Sequence, residues 1–137
     1  MLYRKKCRNS IYRLIKEKVR IEELSTFLER LEEFSEVYNT VIQNDSKYEA
    51  IRYFNIKRNQ QIRSLLCAIF VLQKKGVISE QTKEIALKQL MNFFFIFNTT
   101  QQTSNRTDKI ISSISYKVYN CNQEKEFKTI FSDFMYE

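Results

Sequence analysis

Apolar residues recur at intervals of three and four along most of the chain, with polar residues between them. This period is typical of amphipathic α-helices and not of strands. It predicts helices over residues 3–18, 21–44, 47–55, 60–75, 80–98, 105–120 and 123–136. We therefore expect an all-α fold, a bundle of about six helices that forms a single domain over residues 1–137.

The most apolar stretch lies within residues 90–111, which read LMNFFFIFNTTQQTSNRTDKII. Its phenylalanine cluster is too apolar for a surface helix and too short to cross a bilayer, which needs about 20 apolar residues. The cluster predicts the end of a buried helix around which the other helices pack, with no membrane contact. We expect Phe94, and Leu66 in the helix over 60–75, to be core residues.

The strongest helical pattern covers residues 21–44. It predicts one apolar face that packs inward and one charged face that lies outside. Glutamates occupy much of the charged face. The apolar face consists of Leu24, Phe27, Leu28, Leu31, Phe34, Tyr38, Val41 and Ile42.

Turn residues are scarce, because the chain has no proline and a single glycine, Gly76. Sheet proteins need such residues at every hairpin, so their scarcity favours long helices. Gly76 follows two lysines and is predicted to be the left-handed residue that ends the helix over 60–75. Asn59 and Ser79 are predicted N-caps of the helices that follow them.

Charge alternates in blocks, although the net charge of the chain is +7. Residues 1–20 hold eight Lys or Arg and one Glu, residues 21–45 hold seven acids and one Arg, and residues 46–75 hold seven bases and one Glu. The alternation suits an antiparallel pair in which helix 3–18 packs on helix 21–44 and is neutralised by it. Alternatively, the basic residues contact nucleic-acid phosphates.

The chain has few of the residues on which catalysis or metal binding usually depends. It contains no histidine, no C-x-x-C pair and a single glycine. These facts exclude histidine-based acid–base catalysis, the usual zinc spacings and a glycine-rich phosphate loop. We expect no cofactor, no metal and no enzyme activity in this chain alone. Cys7, Cys67 and Cys121 are predicted to be reduced thiols, and the lack of a visible signal peptide predicts a soluble, cytoplasmic protein.

Polar residues at positions 99–107 form either a plain interhelical turn or a recognition loop. Together with the basic start of the chain, they supply the candidate nucleic-acid contacts, for which we expect weak binding without sequence specificity. The candidate residues are Lys5, Lys6, Arg8, Gln102, Asn105 and Arg106.

Three stretches carry a resemblance to a known family, in order and at similar distances. They read IEELSTFLERLEEFSEVYNTV, QIRSLLCAIFVLQKKGVISEQTKEIALKQLMNFFF and FIFNTTQQTSNRTDKIISSISYKVYN. Over residues 4–134 the chain resembles the helical region of GmrSD-type restriction endonucleases. These are phage-defence proteins that combine a ParB/sulfiredoxin-like domain with an HNH domain.

The resemblance implies a non-catalytic role. In that family, nucleotide-dependent chemistry belongs to an N-terminal domain with an Asp-Gly-Gln-Gln-Arg type motif, and cleavage belongs to a C-terminal HNH domain; the chain has neither motif. It would be the helical scaffold fragment of a longer nucleotide-dependent DNA endonuclease, with the flanking nucleotidase and nuclease domains as its partners. An oligomer is compatible with this role. The alternatives are an independent helical adaptor for a protein partner, and a small basic nucleic-acid-binding domain that uses residues 1–20 and 46–75.

Overall fold

The computed structural model describes the backbone of residues 2–99 and 104–136 and the side chains of residues 10–97 and 108–135. Within these ranges the regular structure is entirely helical, which confirms the all-α prediction. Seven α-helices are described, where about six were expected, and a 3-10 turn at Ile21–Glu23 precedes the second. They are α1 (Leu2–Lys18), α2 (Leu24–Val41), α3 (Glu49–Ile56), α4 (Arg63–Lys74), α5 (Glu80–Thr99), α6 (Ser104–Tyr119) and α7 (Glu124–Tyr136).

The chain divides into two compact units, and the boundary between them falls within α2. We call Met1–Ser35 the N-terminal unit and Glu36–Glu137 the bundle. The bundle contains the end of α2 and helices α3 to α7, and it holds the hydrophobic core. None of the described helices has the length and apolar character needed to span a bilayer.

The centre of the bundle is α4, whose eight consecutive residues 65–72 are all buried. It makes its most extensive contact with α6 and a smaller one with α5, while α3 packs on α5 and α6 packs on α7. Leu66 and Phe94 are 1% and 2% exposed, so both core predictions are confirmed. Cys67 is also buried in α4.

The phenylalanine cluster is not the buried centre that its composition predicts. Phe94 is buried, but Phe95 and Ile96 are 60% and 63% exposed. Successive residues of a helix point about 100° apart, so five consecutive apolar residues cannot all face one neighbour. The prediction of a wholly buried helix end is therefore wrong.

A polar contact joins the two helices that pack most closely, α4 and α6. Ser115 is buried and its hydroxyl donates to the carbonyl of Ile111 at 2.6 Å. Because that hydrogen is used, Ser115 accepts the hydroxyl of Ser64, with the two oxygens 3.0 Å apart. Ser112 and Ser113 on the same helix are exposed.

Side chains near the helix starts follow the predicted caps. The hydroxyl of Ser79 accepts the backbone N–H of Thr82 at 3.1 Å, which confirms Ser79 as the cap of α5. The side chain of Asn59 accepts the N–H of Ile62 at 3.4 Å, although α4 begins at Arg63. Asn59 therefore caps the turn that leads into α4, not the helix itself.

Two helices end with a residue in the left-handed backbone conformation, but the residue differs between them. After α4, Gly76 has φ +77° and the N–H of Val77 bonds the carbonyl of Leu72 at 2.9 Å. After α3, Arg58 has φ +54° and the N–H of Asn59 bonds the carbonyl of Phe54 at 3.0 Å. The glycine end was predicted from the sequence, whereas the arginine end carries no such signal.

These two ends predict opposite responses to substitution. A Cβ on Gly76 would meet nothing within 4 Å, so Gly76→Ala should cost only the left-handed strain, about 1 kcal/mol. Arg58→Gly removes that strain but raises the conformational entropy of the unfolded chain. We therefore expect the free energy of unfolding to rise by roughly 0–1 kcal/mol. Urea unfolding of both variants measures this. Changes of the same sign would contradict the shared geometry.

The N-terminal unit does not form the predicted antiparallel pair. No described side chain from residue 10 to residue 35 is buried, and α1 and α2 make no extensive contact. Between the described side chains of α1 and α2 there is no ion pair, so the expected neutralisation is absent from that part. The inward-facing prediction for α2 is also wrong over most of its length, because only Val37 and Val41 are buried. A periodic pattern predicts that a face will be covered, but it does not identify what covers it.

Candidate functional site

A cavity of about 730 Å³ lies between α5 and α7, and we call it the α5–α7 groove. On α5, positions 85, 89, 92, 93 and 96 follow helical spacing, so their side chains share one face. On α7, positions 127, 131 and 135 lie one turn apart and form the other wall. The apolar lining consists of Ile85, Ala86, Phe93, Ile96, Phe127, Phe131 and Met135.

The groove has an apolar floor and a rim with a single described charge. Ala86, Phe127 and Phe131 are buried and form the floor. Of the described residues that line the groove, Lys128 alone carries a charge, and its ammonium group lies 3.5 Å from the Glu124 carboxylate. The other polar lining residues are Gln81, Thr82, Gln89, Asn92 and Ser132.

Two large aliphatic side chains of the lining are exposed, Ile85 at 52% and Ile96 at 63%. They lie on one face of α5 with Phe93, which is half-buried. A contiguous apolar patch with a polar border is typical of a binding surface. The sequence analysis placed Ile96 inside, as part of the phenylalanine cluster. The available signal was that α5 carries more apolar residues than one covered face needs.

Hydrogen bonds fix the end of the groove where α5 and α7 begin. The hydroxyl of Thr82 donates to the Glu124 carboxylate, and the hydroxyl of Ser79 donates to Thr82 at 2.9 Å. The hydrogen bond from Thr82, with a smaller contribution from Lys128, holds the pKa of Glu124 below its usual value. This carboxylate therefore stays ionised at neutral pH and connects the two walls.

A second polar cluster lies inside the bundle around Lys83, which is 2% exposed. Its ammonium nitrogen donates to the hydroxyl of Tyr48 at 2.7 Å, to Glu80 at 2.9 Å and to Gln73 at 3.4 Å. The same nitrogen lies 4.5 Å from the ring centroid of Tyr48 and 4.6 Å from that of Phe70. Three N–H bonds and three polar partners satisfy the cation completely.

The Lys83 cluster is structural. A nucleophilic lysine needs a free amine lone pair, whereas here each N–H is directed at a partner. The hydroxyl of Tyr48 also donates to Glu80 at 2.7 Å. This bond is the largest cause that lowers the pKa of Glu80, while burial is the main cause that raises the pKa of Tyr48.

The predicted nucleic-acid residues are distributed over three places in the chain. Lys5, Lys6 and Arg8 lie on α1, and Asn105 and Arg106 lie in the first turn of α6, but their side chains fall outside the described part. Gln102 falls outside the described residues altogether. Nucleic-acid contact by these six residues therefore stays a prediction.

Five of the seven bases in residues 46–75 contact other groups of the bundle. Arg52 donates to the carbonyl of Ser46 at 2.5 Å, and Lys74 pairs with Glu36 at 2.6 Å. The remaining contacts join Arg63 to the hydroxyl of Tyr38 and place Lys75 and Lys47 over the rings of Tyr119 and Tyr48.

The two described cysteines are inert thiols. Burial raises the pKa of Cys67 to about 11. Burial also raises the pKa of Cys121, whose sulfur donates to the carbonyl of Lys117 at 3.3 Å. Thiols in this state are poor nucleophiles at neutral pH. Within the described ranges, no cluster of three or more acidic or thiol side chains could hold a metal ion.

Comparison with known proteins adds no relative to this description. No protein-family model, no curated protein and no solved structure matches the chain. The α5–α7 groove is thus the feature from which a function can be argued.

Proposed function

We propose that this chain is a non-catalytic helical scaffold that holds an amphipathic helix of a protein partner in the α5–α7 groove. The groove itself carries the proposal, because it combines an apolar floor with a largely uncharged rim over a volume of about 730 Å³. A helix that lies in such a groove is held by apolar side chains one turn apart. Its polar face remains in water.

The dimensions of the groove suit a helix of about three turns. From Ile85 to Ile96 the wall formed by α5 is roughly 16 Å long at 1.5 Å per residue. Three anchors at positions i, i+4 and i+7 of a bound helix span about 10 Å, which fits within this length. Phe93 and Phe131 offer aromatic surface of the kind that is enriched at the centre of protein interfaces.

The charge of the rim favours a protein over a nucleic acid. Phosphate recognition depends on clustered Lys and Arg groups. Among the described lining residues only Lys128 is charged, and it lies beside Glu124. Amides and hydroxyls, which form most of the rim, suit the polar edge of a peptide helix.

The resemblance to GmrSD-type restriction proteins extends this proposal. In that context the bound helix would belong to a flanking nucleotidase or nuclease domain, and the chain would position those domains within a cytoplasmic phage-defence endonuclease. The order and spacing of the three quoted stretches support this extension, and the lack of histidine supports the non-catalytic part. Weak DNA contact through the basic start of the chain remains compatible with such a role.

The test is selection of helical peptides from a displayed amphipathic library on the purified chain. We expect enriched peptides to carry apolar residues at i, i+4 and i+7. Ile85→Glu and Ile96→Glu should each weaken their binding by at least about tenfold, because both changes place a charge at the apolar wall. Ile56→Glu is the matched control, since Ile56 lies on α3 and is 76% exposed.

Both groove variants alter exposed side chains, so their unfolding midpoints should equal that of the unaltered chain. Failure to enrich any peptide would refute the proposal. Equal binding of the enriched peptides to the groove variants and to the control would refute it as well.

A further inference from the structure

The N-terminal unit carries two apolar stripes that its own described residues leave exposed. Ile11, Leu14 and Ile15 form the α1 stripe, and all three are exposed. Leu24, Leu28 and Leu31 form the α2 stripe, at spacings of four and three that place them on one face. Phe27, beside the α2 stripe, is half-buried.

Helices of this kind need a covered face. Isolated helices shorter than about 12–15 residues are marginal in water even when they are rich in alanine, and α1 has 17 residues and no alanine. In proteins, most helical stability comes from packing of the apolar face. Within the N-terminal unit no described side chain of residues 10–35 is buried, so neither stripe is covered by the other helix of that unit.

The charges beside the stripes define the chemistry of that partner. Residues 1–20 hold eight Lys or Arg and one Glu, whereas residues 21–35 hold five Glu and one Arg. The α1 stripe is therefore complementary to an apolar surface with acidic borders, and α2 has such a surface. The α2 stripe is complementary to an apolar surface with basic borders, and α1 has such a surface. Each chain thus carries both complementary halves.

We propose that two copies of this chain associate through their N-terminal units, with α1 of each copy packed on α2 of the other. The two contacts are identical, so a two-fold axis relates the copies and the interface closes on itself. Pairing α1 with α1 or α2 with α2 would place like charges together, which disfavours those alternatives. The inference uses only residues 1–35 and is independent of the α5–α7 groove.

Sedimentation equilibrium of the full chain tests the association, and we expect a dimer at micromolar concentration. One variant reverses α1 (Arg13→Glu, Lys16→Glu and Lys18→Glu), and a second reverses α2 (Glu29→Lys, Glu32→Lys and Glu33→Lys). Alone, each should show a dissociation constant raised by roughly ten- to a hundredfold, because like charges now face each other twice. Mixed in equal amounts, the two should recover dimerisation as a heterodimer.

The mixing experiment distinguishes a contact between two copies from a contact within one chain. If α1 closed onto α2 of its own chain, each variant would repel itself and mixing would restore nothing, which would overturn the proposal. A wild-type chain that stays monomeric would also overturn it, whether the stripes meet another protein or remain uncovered. Recovery in the mixture, with rising salt weakening it, is the expected result.

Two controls keep these outcomes interpretable. Lys57→Glu, Lys88→Glu and Lys125→Glu together change the net charge as much as the α1 reversal does, at exposed sites in the bundle. This control should leave the dimer intact; loss of the dimer there would assign the effect to net charge and overturn the proposal. None of the altered residues belongs to the core of the bundle. The unfolding midpoint of the bundle, followed through the signal of its buried aromatic side chains, therefore reports whether each variant is folded.

Discussion

Replacing Phe94 by alanine should lower the free energy of unfolding by about 3–5 kcal/mol, while the same change at the neighbouring Phe95 should alter it by less than about 0.5 kcal/mol. Phe94 is buried, and its ring meets that of Phe54 edge-on with centroids 5.6 Å apart. Removal of the ring opens a cavity between α3 and α5 that the close-packed core fills only in part. Phe95 is 60% exposed and loses little packing.

Urea unfolding followed by far-ultraviolet circular dichroism measures both variants under the same conditions. Leu66→Ala, at the centre of α4, should fall in the range of about 2–5 kcal/mol for buried aliphatic residues. Equal effects at Phe94 and Phe95 would mean that the helix is rotated from the described orientation.

Lys83→Glu should be comparably destabilising, with a cost of about 3–5 kcal/mol. The substitution would place a buried carboxylate beside Glu80 and next to the faces of the Tyr48 and Phe70 rings. Ring faces are electronegative and attract cations but repel anions. Hydrogen bonds that Lys83 now donates to three partners would all be lost.

Lys83→Met separates the charge from the space that the side chain fills. It keeps most of the apolar stem and leaves the bond between Tyr48 and Glu80 in place, so its cost should stay within about 2 kcal/mol. Lys88→Glu is the matched control on α5, since Lys88 is exposed. A loss for Lys83→Met as large as that for Lys83→Glu would mean that the buried cation itself holds the fold.

The parts that the sequence predicts well are governed by local physics. Helical periodicity places all seven described helices, and the caps at Ser79 and Gly76 follow from residue chemistry at the helix ends. The apolar run around Leu66 predicts a central helix, because it leaves no polar face. Each of these inferences needs only residues within one or two turns of each other.

The parts that the sequence predicts poorly depend on which surfaces meet. The α2 stripe has the same period as a core-facing helix, yet Leu24, Leu28 and Leu31 are exposed. Likewise, Ile96 follows Phe94 in an apolar run but faces the groove. The Lys83 cluster combines residues of α4 and α5 with Tyr48, the N-cap residue of α3, so no local sequence pattern predicts it.

The central claim is that the α5–α7 groove receives a helix, and the most direct measurement is amide hydrogen exchange of the chain with and without a selected helical peptide. Binding in the groove should slow exchange in α5 and α7, because a covered helix opens less often. The largest slowing should fall along residues 85–96 and 127–135, with α3 unchanged. Protection confined to α1 and α2, or spread evenly over the chain, would contradict the account.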